Sequence, residues 1–479
     1  MLDSPDFSGK PFHFIGVGGI GMSAIAHVLA AQGLPVSGSD IRLTHITERL
    51  QSLGVEVFLK QEAANIEYFL SRQRIPVGVA VETTETQLPQ VVCSTAINPS
   101  NPEYKRALEL GCPIFHRSDI LAGLIQQHQS ISVAGTHGKT TTSSLIAHML
   151  VECGVDPTVV VGGEVPSLGG NARSGKSEYL VAEADESDGS LVKFQSYIGV
   201  LTNIELDHPD HYSDLDQVVD TFKQFSERCQ HIIGSIDCPV VRERFAPAIG
   251  YSLDAASGAD YCASQIEYSG HHTTAEIWER GTRLGSLTLK LLGKHNLSNA
   301  LAAIAVGRFL ELDFATIAAA LATAEGAKRR FELRGEVNNI RFIDDYAHHP
   351  SEIQTTLAAA KLQAQADGRR LVAVFQPHRF TRTLTFLPEF AQSFVDAEVV
   401  AISDIYSAGE VNPGNVTGQH LVNEIAKYQP TVYYQPTLAA MEEFLNQTLE
   451  PGDMAIFLGA GNLNQVIPKL IDAQSTLKK

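Results

Sequence analysis

The segment SVAGTHGKTT, residues 132–141, ends in the Gly-Lys-Thr of a nucleotide-binding loop, although Val133 stands where the usual Walker A pattern has its first glycine. Its glycines allow backbone N–H groups to face an anion, and the helix expected after the loop adds a positive dipole end. Lys139 would reach the β- and γ-phosphates of a nucleotide, and the Thr140 hydroxyl could bind Mg²⁺. The order strand, loop, helix favours this interpretation over a glycine-rich turn that carries a solvated lysine.

Acidic residues and histidines follow two later strand candidates. Ligands bind at the carboxyl ends of strands in parallel sheets, and carboxylate oxygens suit Mg²⁺. The first group can also be a solvated acidic turn, whereas the mixture of acids and histidines in the second indicates a site. The residues are Glu183, Asp185, Glu186 and Asp188 in VAEADESD, and Glu205, Asp207, His208, Asp210 and His211 in TNIELDHPDH.

Two further clusters could serve a nucleotide site. In GKHNLSNA, His295 precedes Asn296 and Asn299, which share one face of a predicted helix and either bind a ligand or only cap the helix. The run KRRFELRG could neutralise a transferring phosphoryl group or form a solvated face. Its cations are Lys328, Arg329, Arg330 and Arg334.

A second glycine-rich loop, GVGGIG at residues 16–21, matches the G-x-G-x-x-G pattern through Gly16, Gly18 and Gly21. Asp40 follows about 20 residues later at the end of the next strand, where an acid can bind a ribose hydroxyl. This pattern predicts a dinucleotide and keeps an NAD-dependent oxidoreductase open. A UDP-sugar also presents a diphosphate and a ribose, however, and an oxidoreductase would not use Lys139 and Thr140.

Alternating strand and helix patterns must position these residues, and they predict an α/β protein of three domains. We expect a Rossmann-like domain over 1–118, a central P-loop ATPase-type domain over 119–333 and a second Rossmann-like domain over 334–479. The central sheet should be mostly parallel with a small antiparallel patch within 251–292. Strand candidates are 77–81, 90–97, 131–135, 158–163, 178–185, 198–204, 370–377, 398–404, 431–435 and 453–461.

Composition excludes several classes of partner. The chain of 479 residues carries a formal net charge of −18, which argues against nucleic acid and anionic membrane surfaces. No apolar run reaches the ~20 residues of a membrane span, and the N-terminus lacks a signal-peptide pattern. The six cysteines form no C-x-x-C pair, which favours free thiols. We therefore expect a cytoplasmic protein.

Taken together and in order, these motifs resemble the Mur ligases, the ATP-dependent amide-forming enzymes of peptidoglycan precursor synthesis. The resemblance spans nearly the whole chain. Its N-terminal motifs GVGGIGMSAIA, SGSD and CSTAINPSNPE are most similar to the member that adds L-alanine to UDP-N-acetylmuramate. A tripeptide-adding or folylpolyglutamate-type ligase of the same superfamily and a nucleotide-hydrolysing switch remain alternatives. The other motifs are GTHGKTT, AEADESD, TNIELDH, GKHNLSNA, RRFE, DDYAHHP and QPHRFTRT.

The resemblance implies a role for each matching residue. The catalytic residues would be Lys139, Glu183, His208, His348, Arg379 and Arg382, and Mg²⁺ would be held by Thr140, Glu183 and His208. ATP would be bound by Gly135, Thr136, His137, Gly138, Lys139, Thr140, Thr141, His295, Asn296, Asn299, Arg330 and Asp345. The UDP substrate would be bound by Gly18, Gly19, Ile20, Gly21, Met22, Asp40, Ser94, Thr95 and Ala96. Lys223 would be either a carbamylated metal bridge, as in several relatives, or a surface lysine.

The implied reaction runs through an acyl phosphate. The lactyl carboxylate of UDP-N-acetylmuramate attacks the γ-phosphate of ATP, and the amine of L-alanine then displaces phosphate from the acyl carbon. His348 is the candidate base for that amine. The expected partners are therefore small molecules, and no motif indicates an oligomeric state.

Overall fold

The computed structural model describes residues 4–71, 88–414 and 416–476, so the predicted strand at 77–81 lies outside the described residues. The chain divides into two compact units, the first formed by 1–134, 150–200 and 221–232, and the second by 135–149, 201–220 and 233–479. Among the described residues, every helix is too short or too polar to cross a bilayer.

The N-terminal elements of the first unit form a five-stranded parallel sheet in the order β3-β2-β1-β4-β5. This is the strand order of a dinucleotide-binding fold, as predicted. The strand expected over 90–97 ends at Cys93, because a turn begins directly after it. The elements are β1 Phe12–Ile15, α1 Ile20–Ala31, β2 Val36–Ser39, α2 His45–Ser52, β3 Glu56–Phe58, α3 Ala64–Ser71, β4 Gln90–Cys93, α4 Pro102–Leu110, β5 Ile114–His116 and α5 Arg117–Gln126.

The next stretch supplies the strands around the phosphate loop. In the first unit β6 pairs with β9 and β9 with β7, all parallel, while β8 pairs antiparallel with β7. The strands are buried nearly throughout, as expected for a sheet covered on both faces. The elements are β6 Gln129–Ala134, α6 Lys139–Glu152, β7 Thr158–Val165, β8 Gly170–Arg173, β9 Tyr179–Glu183, β10 Ile198–Leu201 and α7 Leu215–Ser226.

The second unit contains the predicted antiparallel patch. Five strands follow the order β15-β14-β13-β12-β11. The pairs β13–β14 and β14–β15 are antiparallel, whereas β11–β12 and β12–β13 are parallel. The elements are β11 His231–Ser235, α8 Pro239–Arg244, β12 Ile249–Ser252, β13 Tyr261–Tyr268, β14 Thr273–Glu279, β15 Thr282–Leu289, α9 Lys294–Phe309 and α10 Phe314–Thr323.

The C-terminal elements form a six-stranded sheet in the order β16-β17-β21-β18-β19-β20, parallel except for β16. Buried apolar clusters lie on both faces of it. The predicted domain boundaries at 118/119 and 333/334 fall inside α5 and β16, and the boundaries themselves stay a prediction. The elements are β16 Glu332–Val337, β17 Ile340–Asp345, α11 Pro350–Asp367, β18 Arg370–Phe375, α12 Phe380–Thr385, α13 Leu387–Ala391, β19 Val399–Ser403, α14 Gly418–Ile425, β20 Val432–Gln435, α15 Leu438–Thr448, β21 Asp453–Leu458 and α16 Val466–Thr476.

Candidate active site

The phosphate loop connects β6 to α6, and two of its glycines are required by its shape. Gly135 and Gly138 have φ angles of +149° and +81°, which side-chain-bearing residues rarely adopt. A Cβ on Gly135 would lie 1.9 Å from Thr202 Oγ1, and one on Gly138 would lie 2.8 Å from Asn299 Oδ1. The loop is therefore packed closely against two other segments of the second unit.

The segment after β10 fixes the loop by hydrogen bonds. Asn203 Oδ1 accepts the His137 N–H at 2.9 Å, and Thr202 Oγ1 donates to the His137 carbonyl at 2.7 Å. Thr136 Oγ1 accepts the Glu205 N–H at 2.9 Å. The phosphate loop and the TNIELDH segment are thus joined by direct hydrogen bonds.

Lys139 and Thr140 open helix α6 as predicted. Lys139 Nζ donates to the carbonyls of Gly135 and Thr136 at 2.7 and 3.1 Å, so the ammonium group is held over the loop. Thr140 is buried, and Thr141 beside it is partly exposed. Both residues lie in the first turn of α6, and their predicted contacts with a nucleotide phosphate stay a prediction.

The start of α9 lies beside the same loop. Asn299 Oδ1 accepts the Thr142 hydroxyl at 3.0 Å, and Asn299 Nδ2 donates to Asn296 Oδ1 at 3.3 Å. Asn296 also caps the preceding turn through Leu292 O at 2.8 Å. Burial and the charge of Arg330 lower the pKa of His295 to about 4, so this imidazole is neutral at pH 7. The N-cap of α9 is Gly293, so the two amides do not cap this helix; Asn299 contacts the start of α6, and ligand binding by both amides stays a prediction.

His137, in the middle of the loop, contacts two carboxylates. Its Nδ1 lies 3.3 Å from Glu352 Oε1, and its Nε2 lies 3.5 Å from Glu205 Oε2. Burial lowers the pKa of His137, but Glu205 and Glu352 outweigh it and raise the pKa to about 10. Contact with His137 in turn lowers the pKa of Glu205 to about 2. The loop therefore carries a cation at His137 in addition to Lys139.

Glu352 belongs to the capping box that starts α11. His349 is the N-cap residue, Pro350 follows at the first helical position, and Glu352 is the third. Glu352 Oε2 accepts the N–H groups of His348 and His349 at 3.0 and 3.3 Å. The same side chain therefore fixes the DYAHHP segment and contacts the phosphate loop.

Asp345 is engaged by the backbone around it. Its carboxylate accepts the N–H groups of Phe331 and Ala347 at 2.7 and 2.8 Å. Burial raises the pKa of Asp345 to about 6. The guanidinium of Arg330 lies 5.3 Å from the centre of the Tyr346 ring. The contact of Asp345 with nucleotide stays a prediction. What the structure adds is that the Asp345 carboxylate holds the backbone at Phe331 and Ala347.

The basic run is only in part available to a phosphoryl group. Arg329 and Arg334 both pair with the buried Asp344, at 3.5 and 3.0 Å. Arg330 instead approaches Glu352 Oε1 at 3.9 Å. Arg329 and Arg334 are therefore neither a solvated face nor unpaired cations, and the predicted role of Arg330 at the ATP site stays a prediction.

His348 and the residues after β18 form a second charged group. Arg382 is 2% exposed, and its Nε and Nη2 contact Asp207 Oδ1 at 2.9 and 2.8 Å. Arg379 Nη1 lies 2.6 Å from Asp210 Oδ2. His348 and His378 have ring centres 5.8 Å apart. The predicted His348, Arg379 and Arg382 are thus brought next to the predicted acids after β10.

His208 follows Asp207 with φ of +53°, and its N–H donates to Asp207 Oδ1 at 2.6 Å. Burial raises the pKa of Asp207, but the charge of Arg382 outweighs it and holds the pKa well below its usual range. Burial lowers the pKa of His348 to about 3, so this imidazole is neutral at pH 7.

Glu183 belongs to the first unit, where it ends β9 and accepts the Gly162 N–H at 2.7 Å. Two of its acidic neighbours form ion pairs: Arg117 Nη2 contacts Asp185 and Asp188 at 3.2 and 3.3 Å. These two residues are therefore not a solvated acidic turn, and Mg²⁺ binding by Glu183 stays a prediction. Lys223 lies partly exposed in α7.

The predicted UDP site lies at the carboxyl edge of the N-terminal sheet. Asp40 Oδ2 accepts the Gly18 N–H at 2.9 Å, so the acid is held against the glycine loop, and its predicted contact with a ribose stays a prediction. Gly19 caps α1, which begins at Ile20 and contains Gly21 and Met22. Ser94, Thr95 and Ala96 directly follow β4, the neighbour of β1. The predicted members of this site therefore lie just after three adjacent strands, either in the loops that follow them or in the first turn of α1.

Comparison with known proteins assigns the family. Three family models match the chain: Mur ligase family, catalytic domain, over 11–129; Mur ligase middle domain over 133–307; and Mur ligase, glutamate ligase domain, over 329–461. The chain belongs to the Mur ligase family.

Individual Mur ligases match over the full chain. The UDP-N-acetylmuramate–L-alanine ligase of Nostoc punctiforme is 62% identical, over 99% of this chain and 98% of the relative. That of a Cyanothece species is 59% identical, over 100% and 98%. The crystal structure of UDP-N-acetylmuramate-alanine ligase from Thermotoga maritima has a TM-score of 0.80 at 27% identity and covers 98% of this chain and 100% of that one.

Sequence reasoning gave no role to several residues that organise this Mur ligase. Glu205 was noted only as an acid, and His349, Glu352 and Arg117 were not assigned. The pair Pro350 and Glu352 after His349 is a helix-start signal that could have been found. The contacts of Arg117 join residues about 70 positions apart, and no local pattern carries that information.

Proposed function

We propose that this Mur ligase joins L-alanine to the lactyl carboxylate of UDP-N-acetylmuramate with hydrolysis of ATP to ADP and phosphate. The observation that carries the proposal is the 62% identity over 99% of the chain to a relative named for that reaction. The loop at 135–140, with Lys139 held over it, supports the use of ATP. The Asp40–Gly18 contact supports a nucleotide sugar on the N-terminal sheet.

In the first step a carboxylate oxygen of the sugar acid would attack the γ-phosphorus of ATP. The bond from that phosphorus to the bridging oxygen breaks, and ADP leaves with the electron pair. Both reactants are anions, so the chain must supply positive charge. We assign this role to Lys139 and the helix start at Thr140, which belong to the phosphate loop, and to Arg330, which approaches the loop's partner Glu352 at 3.9 Å.

Mg²⁺ is part of the proposal. The predicted donors include the Thr140 hydroxyl and the Glu183 carboxylate, and such hard oxygen donors fit this ion. His208 adds a nitrogen, which Mg²⁺ accepts less readily. When bound, the ion would neutralise charge on the phosphate oxygens.

In the second step the neutral amine of L-alanine would attack the acyl carbon. The carbon–oxygen bond to phosphate then breaks, and the amine loses a proton. His348 is neutral at pH 7, and its Nδ1 lies 3.0 Å from the Tyr346 carbonyl, which fixes the orientation of the ring. Its low pKa makes it a weak base, so we assign its other ring nitrogen the role of accepting a hydrogen bond from the amine and Arg379 the role of binding the alanine carboxylate.

Amide synthesis tests the proposal directly. Purified protein with Mg²⁺, ATP and UDP-N-acetylmuramate should release ADP only when L-alanine is also present, and the product should gain the mass of one alanine residue. ADP release with a preformed peptide in place of L-alanine would support the tripeptide-adding ligase. ADP release with a folate and glutamate would support the folylpolyglutamate-type ligase. Absence of both ADP and product with all reactants present, from protein with a native circular dichroism spectrum, would refute the proposal.

A further inference from the structure

We propose that His137, Glu205 and His349 form a second metal site, which binds a divalent ion of the zinc class independently of the magnesium used with ATP. The three residues come from the phosphate loop, the segment after β10 and the N-cap of α11. The inference concerns binding of the ion to the chain and does not depend on the proposed function.

The donor atoms are already close together. One ligand atom from each residue lies within 4.8 Å of the others. Donors bound tetrahedrally to Zn²⁺ at 2.0–2.2 Å are about 3.4 Å apart, so side-chain movements of about 1 Å would complete the site. His349 is only 4% exposed and the His137 side chain 14%, whereas the Glu205 side chain is 43% exposed, so the two imidazoles lie inside and the carboxylate leaves the position open to an ion from solvent.

Other residues hold the donors in place, as at known metal sites. His137 Nδ1 faces Glu352, which leaves Nε2 on the side of Glu205. Ser351 Oγ donates to Glu205 Oε2 at 2.6 Å and lies 3.2 Å from His349 Nδ1, so it contacts two of the three donors. Within the described residues, the buried Nε2 atoms of His137 and His349 make no hydrogen bond.

The donor chemistry selects the ion. Two imidazoles and one carboxylate suit Zn²⁺ and other first-row transition ions, and three protein donors leave a fourth position open for water or a substrate oxygen. Mg²⁺ prefers oxygen ligands, and its proposed donors Thr140, Glu183 and His208 are different residues. Binding would displace the proton of His137, as metal binding to histidine requires.

An ion at this position would join three separate stretches of the second unit. Because it binds the folded arrangement and not the unfolded chain, it should raise the thermal midpoint in proportion to the logarithm of its concentration. This readout needs neither ATP nor substrate. It therefore separates failure of the metal site from failure of the proposed ligase reaction.

The test uses the full chain with Zn²⁺ alone and with Co²⁺ alone. We expect one ion per chain by equilibrium dialysis, a rise in the thermal midpoint, and a Co²⁺ spectrum of nitrogen and oxygen ligands. His349→Gln and Glu205→Gln should each lose the bound ion, and Ser351→Ala should bind it about 10-fold more weakly. The matched control is His211→Gln, which removes an exposed histidine next to the same segment and should bind normally.

Two results would overturn the site. The first is Zn²⁺ binding that persists unchanged in Glu205→Gln and His349→Gln, or no binding to the wild type at all. The second is a thiolate-to-cobalt charge-transfer band, because it would place the ion on one of the six free cysteines. If one variant does not fold by circular dichroism, the other variant and the wild-type Co²⁺ spectrum still decide.

Discussion

Two glycine-rich loops open a helix after a strand, at residues 16–21 and 135–140, but the charges around them differ. In the first, a carboxylate from Asp40 holds the Gly18 N–H. In the second, Lys139 belongs to the loop itself, and His137 beside it is held by two carboxylates. Both loops have the glycine pattern that suits an anion, and they differ in the charges of the side chains around them.

The largest effect should come from removing the cation of the second loop. We expect Lys139→Ala to lower kcat by about 1,000-fold, because loss of a group that stabilises transition-state charge typically has an effect of this order. The measurement is ADP release at saturating substrates. Binding of the UDP substrate, followed by calorimetry, should be unchanged, and Lys139→Arg controls for loss of charge as opposed to loss of shape. Near-normal turnover of Lys139→Ala would mean that the cation of the second loop does not act on the phosphate.

The second largest effect should come from the ion pair between Arg382 and Asp207, which we expect to contribute to the free energy of unfolding. Arg382→Ala leaves the buried Asp207 carboxylate without its partner, and we expect the free energy of unfolding to fall by about 3–5 kcal/mol. Arg379→Ala removes a partly exposed pair and should change it by less than about 1 kcal/mol. Urea denaturation measures both.

A double variant tests the cause. Asp207→Asn combined with Arg382→Met removes both charges, so it should recover much of the stability that Arg382→Ala loses. Equal destabilisation in the two variants would mean that packing, and not the unpaired carboxylate, dominates at this position.

Features that are encoded by adjacent residues could be predicted from the sequence, whereas contacts between distant residues could not. The strand, loop and helix around Lys139 follow from adjacent residues, as does the position of Asp40. The β16–β17 hairpin was missed although its turn residues Asn338 and Asn339, both with positive φ, are a recognisable signal. The pairing of Asp344 with Arg329 and Arg334 could not be predicted, because acids and bases are abundant nearby and only packing selects the partners.

The raised pKa of Asp345 predicts that the free energy of unfolding depends on pH. Its pKa is about 6 in the folded state against 3.8 as the ordinary value, so the folded chain binds this proton more tightly. Stability from this group is therefore gained as pH falls from 7 through 6 towards 4, by about 2 kcal/mol. We expect the wild type to gain that much relative to Asp345→Asn over this range, measured by urea denaturation at each pH. A difference independent of pH would mean that Asp345 titrates normally.

The smallest effect should come from the first loop. We expect Asp40→Ala to weaken binding of the UDP substrate by about 10-fold, the order of one hydrogen bond to a charged group, and to leave ATP binding unchanged. Asp40→Asn is the matched control, since it keeps an oxygen to accept the Gly18 N–H at the position now 2.9 Å away but loses the charge. If Asn restores binding, Asp40 acts by shaping the loop, and if it does not, the carboxylate itself meets the ligand. Weaker ATP binding in either variant would contradict the assignment of the two loops to different substrates, because Asp40 would then serve the anion that we assign to Lys139.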